Sequence, residues 1–197
     1  MNREIDVPRG VLRSARQVAS PNCDDRPEGA TIRLLVIHGI SLPPGCFGGE
    51  EIEQLFTNRL DPAAHPYFQN VYQLQVSAHL LIRRDGEVVQ FVPFAKRAWH
   101  AGESCYGGAN GCNDFSIGIE LEGADDISYA DAQYAALQRL IPLLREAYPA
   151  IGASDIVGHC HIAPGRKTDP GPAFDWARLG LRPGLAIPGS SGETAES

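Results

Sequence analysis

Residues 32–37, IRLLVI, form an apolar and β-branched run, continuous from Leu34, that stops at His38-Gly39. A run this short and this unbroken reads as a strand buried on both faces, at the centre of a sheet that other elements must cover. The rest of the chain supplies those elements. Tyr72 to Arg84 alternates and then turns apolar, Asp85-Gly86 is a hairpin signal, and EVVQFVPF answers as the partner strand. Ser116 to Gly123 alternates strictly, with Ile117, Ile119 and Leu121 on one face and Ser116, Gly118, Glu120 and Glu122 on the other. Residues 50–60 predict a short amphipathic helix on Ile52, Leu55, Phe56 and Leu60. A longer helix is expected from an N-cap at Ser128 to about Tyr148, with its apolar stripe on Tyr134, Leu137, Leu140, Ile141 and Leu144. Pro142 falls inside that stripe and is expected to kink the helix or end its regular part. The order of elements is mixed, not a strict βαβα alternation. The expected fold is α/β, a single central mixed β-sheet flanked by helices.

Domain organisation follows from the same pass. The chain has 197 residues, enough for one domain with a full core. Residues 1–30 are turn-rich and are expected to form an N-terminal arm and loops, residues 31–181 the domain, and residues 182–197 a disordered tail. A formal net charge of -7 speaks against nucleic acid as a partner, with Arg166-Lys167 the one candidate basic patch. No stretch approaches the roughly 20 apolar residues of a membrane span, and the N-terminus lacks an apolar run of signal-peptide length. Five cysteines without a CxxC pair read as reduced thiols. Together these place the protein in the cytoplasm, as a monomer by default.

Of the six histidines, His38 ends a buried strand, a position where α/β domains often place chemistry. His159 opens a loop after the short apolar run Asp155 to Gly158, and Asp169 lies ten residues further on. A loop of that length can return a carboxylate to the histidine that opened it. Two histidines and one carboxylate leave a fourth tetrahedral position open, the composition of a catalytic zinc site. On spacing alone His79 is a rival ligand, and hydrogen-bonded strand-end histidines, with Asp169 capping a turn, account for the same residues. No HExxH motif occurs, so a zinc peptidase of that type is not indicated.

The segments LLVIHGISLPPG, AHPYF, VSAHLLIRRDGEVVQFVP, RAWHAG, NDFSIGIELEG and GHCHIAPGRKTDPGPAFDW occur in this order. In these the chain resembles the zinc-dependent N-acetylmuramoyl-L-alanine amidases, a family related to phage lysozyme-type amidases and peptidoglycan recognition proteins. Within it the chain looks closest to the cytoplasmic enzymes of Gram-negative bacteria that cleave 1,6-anhydro-N-acetylmuramyl-L-alanine. The resemblance covers residues 14 to 180 and implies Zn2+ held by His38, His159 and Asp169. It implies Glu120 and Lys167 as catalytic residues, and Tyr67 close to the metal. It places Trp99 and His100 in the segment lining the substrate cleft, and returns His79 to a structural role. Arg166 is a candidate for the carboxylates of the peptide. The implied substrate is an anhydromuropeptide, cut during peptidoglycan recycling. The alternatives are an amidase acting on intact peptidoglycan, which would call for an export signal or a wall-binding domain, and a non-catalytic peptidoglycan-binding module, which would call for a lost ligand. Three departures stand out. Gly39 replaces the usual Asn, which would remove a hydrogen bond to substrate or ligand loop. His161 replaces the usual Asp or Asn. The loop Gly107 to Gly111 lacks the usual charged residues.

Overall fold

The computed structural model describes residues 4–181. Its centre is a six-stranded sheet. In chain order the strands are β1 (Arg16–Gln17), β2 (Leu34–Ile40), β3 (Leu80–Ile82), β4 (Val88–Gln90), β5 (Ser116–Glu122) and β6 (Ile156–Gly158). Across the sheet the order is β6-β2-β5-β3-β4-β1. All neighbours are parallel except the β3–β4 hairpin. The two longest strands, β2 and β5, lie side by side in the middle, and every residue of β5 is buried. Both faces are covered, as the unbroken apolar run of β2 requires.

Three helices pack on this sheet: α1 (Glu51–Phe56), α2 (Asp131–Ala147) and α3 (His159–Ile162). The stripe of α2 meets Leu35, Ile37, Ile117, Ile119 and Leu121 on one face of the sheet. On the other face, Ile52, Leu55 and Phe56 of α1 pack against Leu81 and Val89. Leu34, Val36 and Val157 form a separate apolar group there with Phe115 and Ile162. Between these two groups the face is polar, because Glu120 of β5 and His38 of β2 point into it and Gly118 of β5 leaves room for the His100 ring.

Several elements differ from their expected extents. β2 runs on through His38 to Ile40, since β5 supplies hydrogen-bonding partners up to Glu122. The expected strand Tyr72 to Arg84 shrinks to β3, its first half becoming irregular chain after the 3-10 turn Pro66–Asn70. The long helix starts at Asp131, three residues after Ser128, where the Gln133 side chain accepts the Ala130 N–H at 2.9 Å. Pro142 does not end it. The carbonyl that Pro142 leaves without a donor belongs to Gln138, which is exposed and open to water.

The arm expected over residues 1–30 is stitched to the domain. Ile5–Asp6 pairs with Val11–Leu12, β1 joins the sheet edge, and Cys23–Asp25 pairs with Lys96–Ala98. Ile5, Leu12 and Ala15 enter the core. The buried Gln90 side chain accepts the Leu12 N–H at 2.8 Å and donates to the Gly10 carbonyl at 2.8 Å. Strands of two or three residues are too short to show periodicity, so composition displays only their turns. The expected tail, 182–197, lies outside the described residues.

Candidate metal and active site

The register of the sheet builds the site. Glu120 of β5 stands opposite His38 of β2. Parallel neighbours in register share a face, so both side chains enter the polar gap. Gly158 of β6 pairs with Ile37, and His159 follows it directly, at the level of His38. The loop after α3 returns Asp169 to the same point. The result is a compact set of three donor atoms. His38 Nδ1 and His159 Nδ1 are 3.0 Å apart, and Asp169 Oδ2 is 3.1 Å from each. Three corners of a tetrahedron of bonds of about 2.0–2.1 Å would be spaced roughly 3.3 Å, so the triangle has the size a zinc ion needs.

The hydrogen bonds behind the histidines are compatible with a metal-binding triangle. His159 Nε2 faces the Ala101 carbonyl at 3.0 Å, and a carbonyl only accepts, so this nitrogen carries the proton. A neutral His159 therefore turns a bare Nδ1 lone pair towards the Asp169 carboxylate. His38 Nε2 lies 2.9 Å from His100 Nδ1, and His100 Nε2 lies 3.1 Å from Ser116 Oγ. Assigned with His38 as donor to His100, and His100 as donor to Ser116, the relay leaves His38 Nδ1 bare as well. Three acceptors then meet at hydrogen-bond distance with no proton to share, an arrangement that a cation resolves. Ligating histidines held through the other ring nitrogen by carbonyls and side chains are the usual supports of a zinc site. The donor set fits zinc.

Electrostatics agree. Burial pushes the His38 imidazole down to about 4, against the opposing pull of the neighbouring Asp169 carboxylate. His100 is pushed well below the usual range by burial and by its histidine neighbours. Burial also raises the Asp169 carboxyl, but its contacts with His159 and His38 outweigh that and hold it well below the usual carboxylate range.

Glu120 is the group best placed to handle protons here. Its Oε1 is 3.9 Å from His38 Nδ1, and its Oε2 is buried with no hydrogen-bond partner. Burial raises its pKa well above the usual value, the Asp169 charge adds to the rise, and Lys167 opposes it. Glu122, on the same face of β5, is engaged elsewhere. It accepts N–H groups from Gly48 at 2.5 Å and Arg84 at 3.1 Å, beside the Arg83 guanidinium. Lys167 is exposed and close enough for its charge to act on both Glu120 and His38.

The remaining expected residues are placed differently. His100 is buried behind His38, not on a cleft wall, and Gly118 makes room for it: a Cβ there would come within 2.5 Å of the ring. Trp99 is half-buried and donates its indole N–H to Asp24. Arg166 donates from Nε to the Glu103 carbonyl and from Nη2 to the carbonyls of Ala101 and Glu103, which ties its loop to the RAWHAG segment. Tyr67 lies in the exposed turn Pro66–Asn70, its backbone N–H bonded to His65 Nδ1. Gly39 leaves space for the hydroxyl of Tyr129, which donates to the Pro170 carbonyl at 2.9 Å, next to Asp169. His161 accepts the Gly158 N–H at 2.8 Å, so its Nδ1 caps α3 instead of adding a ligand. Cys105–Tyr106 and Ala109–Asn110 turn the Gly-rich loop into a small hairpin. Sequence reasoning missed the roles of Asn113, Ser116 and Tyr129. Each is joined to the cluster by tertiary contacts that leave no local pattern.

The family model described as N-acetylmuramoyl-L-alanine amidase matches residues 28–172. The 1,6-anhydro-N-acetylmuramyl-L-alanine amidase AmpD of Citrobacter freundii is 62% identical over 170 residues, which cover 86% of this chain and 90% of that protein. A crystal structure of a selenomethionine derivative of AmpD superposes with a TM-score of 0.85 at 60% identity, covering 89% of this chain and 96% of the other. The Escherichia coli amidase AmiD, in complex with anhydro-N-acetylmuramic acid-L-Ala-D-gamma-Glu-L-Lys, matches with a TM-score of 0.55 at 31% identity, over 79% of this chain and 59% of AmiD.

Proposed function

This chain belongs to the N-acetylmuramoyl-L-alanine amidase family, and from that premise we infer how its own residues carry out the reaction. The protein hydrolyses the amide between N-acetylmuramic acid and L-alanine. We assign it the 1,6-anhydro form of the sugar as substrate and a place in peptidoglycan recycling, on the names and extent of its relatives. The observation that carries the mechanism is the triangle of ligand atoms formed by His38 Nδ1, His159 Nδ1 and Asp169 Oδ2, 3.0–3.1 Å apart.

These three residues would hold Zn2+. Bound there, zinc supplies a Lewis acid that polarises the carbonyl and lowers the pKa of water to about 7. Glu120 takes the proton of the attacking water on its unpartnered Oε2. It passes that proton to the alanine nitrogen as the carbon–nitrogen bond breaks. The raised pKa of Glu120 suits a group that must hold a proton between the two steps. As the carbonyl carbon becomes tetrahedral, its oxygen gains negative charge, and the Lys167 ammonium lies where its field reaches the same cluster. Arg166 shapes the wall beside His159 by holding the carbonyls of Ala101 and Glu103. Tyr67 and Trp99 we keep as substrate contacts on the family resemblance alone. We place the protein in a reducing compartment, the cytoplasm, since all five cysteines are free. No helix among the described residues is long and apolar enough to cross a membrane.

The test is to incubate the protein with anhydromuramyl-L-Ala-γ-D-Glu-meso-diaminopimelate and identify products by mass spectrometry, with and without chelation and zinc restoration. Release of free tripeptide that is lost on chelation and regained with zinc is expected. Folded, zinc-containing protein that releases no tripeptide would sink the assignment.

A further inference from the structure

We propose that Asn113 is a positioning residue for both histidine ligands, its one carboxamide oxygen setting the two groups that orient His38 and His159. The inference rests on reading those histidines as zinc ligands. Asn113 Oδ1 accepts two consecutive backbone N–H groups, those of His100 at 3.2 Å and Ala101 at 2.8 Å. Both partners are donors, so the oxygen, not the NH2 group, must point at them. The same two residues stand directly behind the metal cluster. The His100 imidazole receives the Nε2 side of His38 at 2.9 Å, and the Ala101 carbonyl receives that of His159 at 3.0 Å. One side-chain atom therefore fixes the piece of chain on which both tautomers depend.

The strut is itself braced. Arg26 is half-buried and donates to the carbonyls of Phe94, Asn113, Asp114 and Ser116 at 2.7–3.2 Å. Its clasp on Ser116 matters twice, because the Ser116 hydroxyl is the far partner of His100. Burial lowers the Arg26 pKa to about 10, which leaves it charged at neutral pH. The route runs from Arg26 through Asn113 to His100 and Ala101, and from them to the ligands. Supports behind metal-bound histidines commonly change metal affinity by about 10–100-fold when removed, and here a single residue supports two.

The experiment compares the zinc dissociation constants of wild type, Asn113→Leu and Asn113→Asp by competition with a chromophoric chelator. Thermal melts in chelator score the fold of each. Asn113→Leu is expected to weaken zinc by about tenfold or more. Asn113→Asp, whose carboxylate accepts the same two N–H groups, is expected to recover most of that loss. Rescue by the shape-matched acceptor separates positioning from general destabilisation. A folded Asn113→Leu protein with wild-type zinc affinity would overturn the proposal. Wild-type protein that binds no zinc would instead overturn the ligand reading, and the inference with it. Should Asn113→Leu not fold, amide hydrogen exchange on the wild type decides. Strong protection of the His100 and Ala101 amides, deepened by zinc, supports the strut, and exchange at open-chain rates refutes it.

Discussion

His38 and His79 are both buried, at 1% and 0% exposure. Both are pushed down by burial, to about 4 and about 3. They differ in one respect. Each nitrogen of His79 meets a backbone partner, Nδ1 the Gly118 N–H at 3.0 Å and Nε2 the Lys96 carbonyl at 3.1 Å, with the Arg26 guanidinium alongside. His38 has a partner behind it but turns its Nδ1 to another imidazole nitrogen and a carboxylate. Burial and a depressed pKa therefore do not mark a ligand. What sets His38 apart is the company of its Nδ1, which faces a second imidazole nitrogen and a carboxylate.

The sharpest way to break this comparison is to remove one histidine from each place. His159→Ala is expected to abolish zinc binding and, with it, detectable amidase activity. His79→Leu is expected to retain one zinc per chain and to lose about 1–3 kcal/mol of stability, the cost of leaving buried backbone groups unpaired. Metal analysis and thermal unfolding of both variants decide the matter, and zinc loss from folded His79→Leu protein would undo the distinction.

A second contrast lies within β5. Glu120→Gln should lower kcat by about 10²–10⁴-fold while zinc content stays at wild type, as expected for loss of a proton carrier. Glu122→Gln should show its effect in the melting temperature, since its oxygens hold the Gly48 and Arg84 N–H groups. Kinetics on the two proteins at equal zinc occupancy would reveal a reversal of roles. Next in size is Lys167→Met, for which a fall in kcat of about 10²–10³-fold, roughly 2.7–4 kcal/mol of barrier, is expected from losing one positioned charge. An unchanged kcat would remove Lys167 from the mechanism.

The smallest effect lies outside the cleft. Hydrogen bonds from Arg16 and then Arg83, working against burial, hold the Glu53 carboxyl down at about 2, from an ordinary 4.5. A carboxyl depressed on folding contributes stability that is present above its unfolded value and is lost as the pH falls through its folded one. The stability advantage of wild type over Glu53→Gln should therefore be full above pH 4.5 and fade towards pH 2. Urea unfolding across that range measures it, and a constant difference would mean that the ion pairs add nothing.

Much of the fold is legible in the chain because it rests on patterns a few residues long. β2 and β5 are the longest strands, and their apolar faces follow from composition and alternation. The buried stripe of α2 follows from its 3.6-residue period. Short strands escaped this reading, as did the fate of Pro142, which depends on whether the Gln138 carbonyl faces water or core. The candidate site was less legible. Spacing alone left His79 in competition with His38, and Glu122 with Glu120. The family motif named one of each pair, and the fold brings those named residues together.

The sequence by itself determined the family, the central strands and the long helix, since each is written in contiguous motifs, and it narrowed the candidate zinc ligands to a few histidines and a carboxylate. Tertiary structure alone decided that the N-terminal arm is part of the core and that His100 stands behind His38. It also decided that Glu122 is occupied while Glu120 is not, and that one asparagine oxygen serves two histidines. The physical reason is distance along the chain. His38 meets His100 across 62 residues and His159 meets Ala101 across 58. Such bonds are set by strand register and loop closure, which no local pattern of residues encodes.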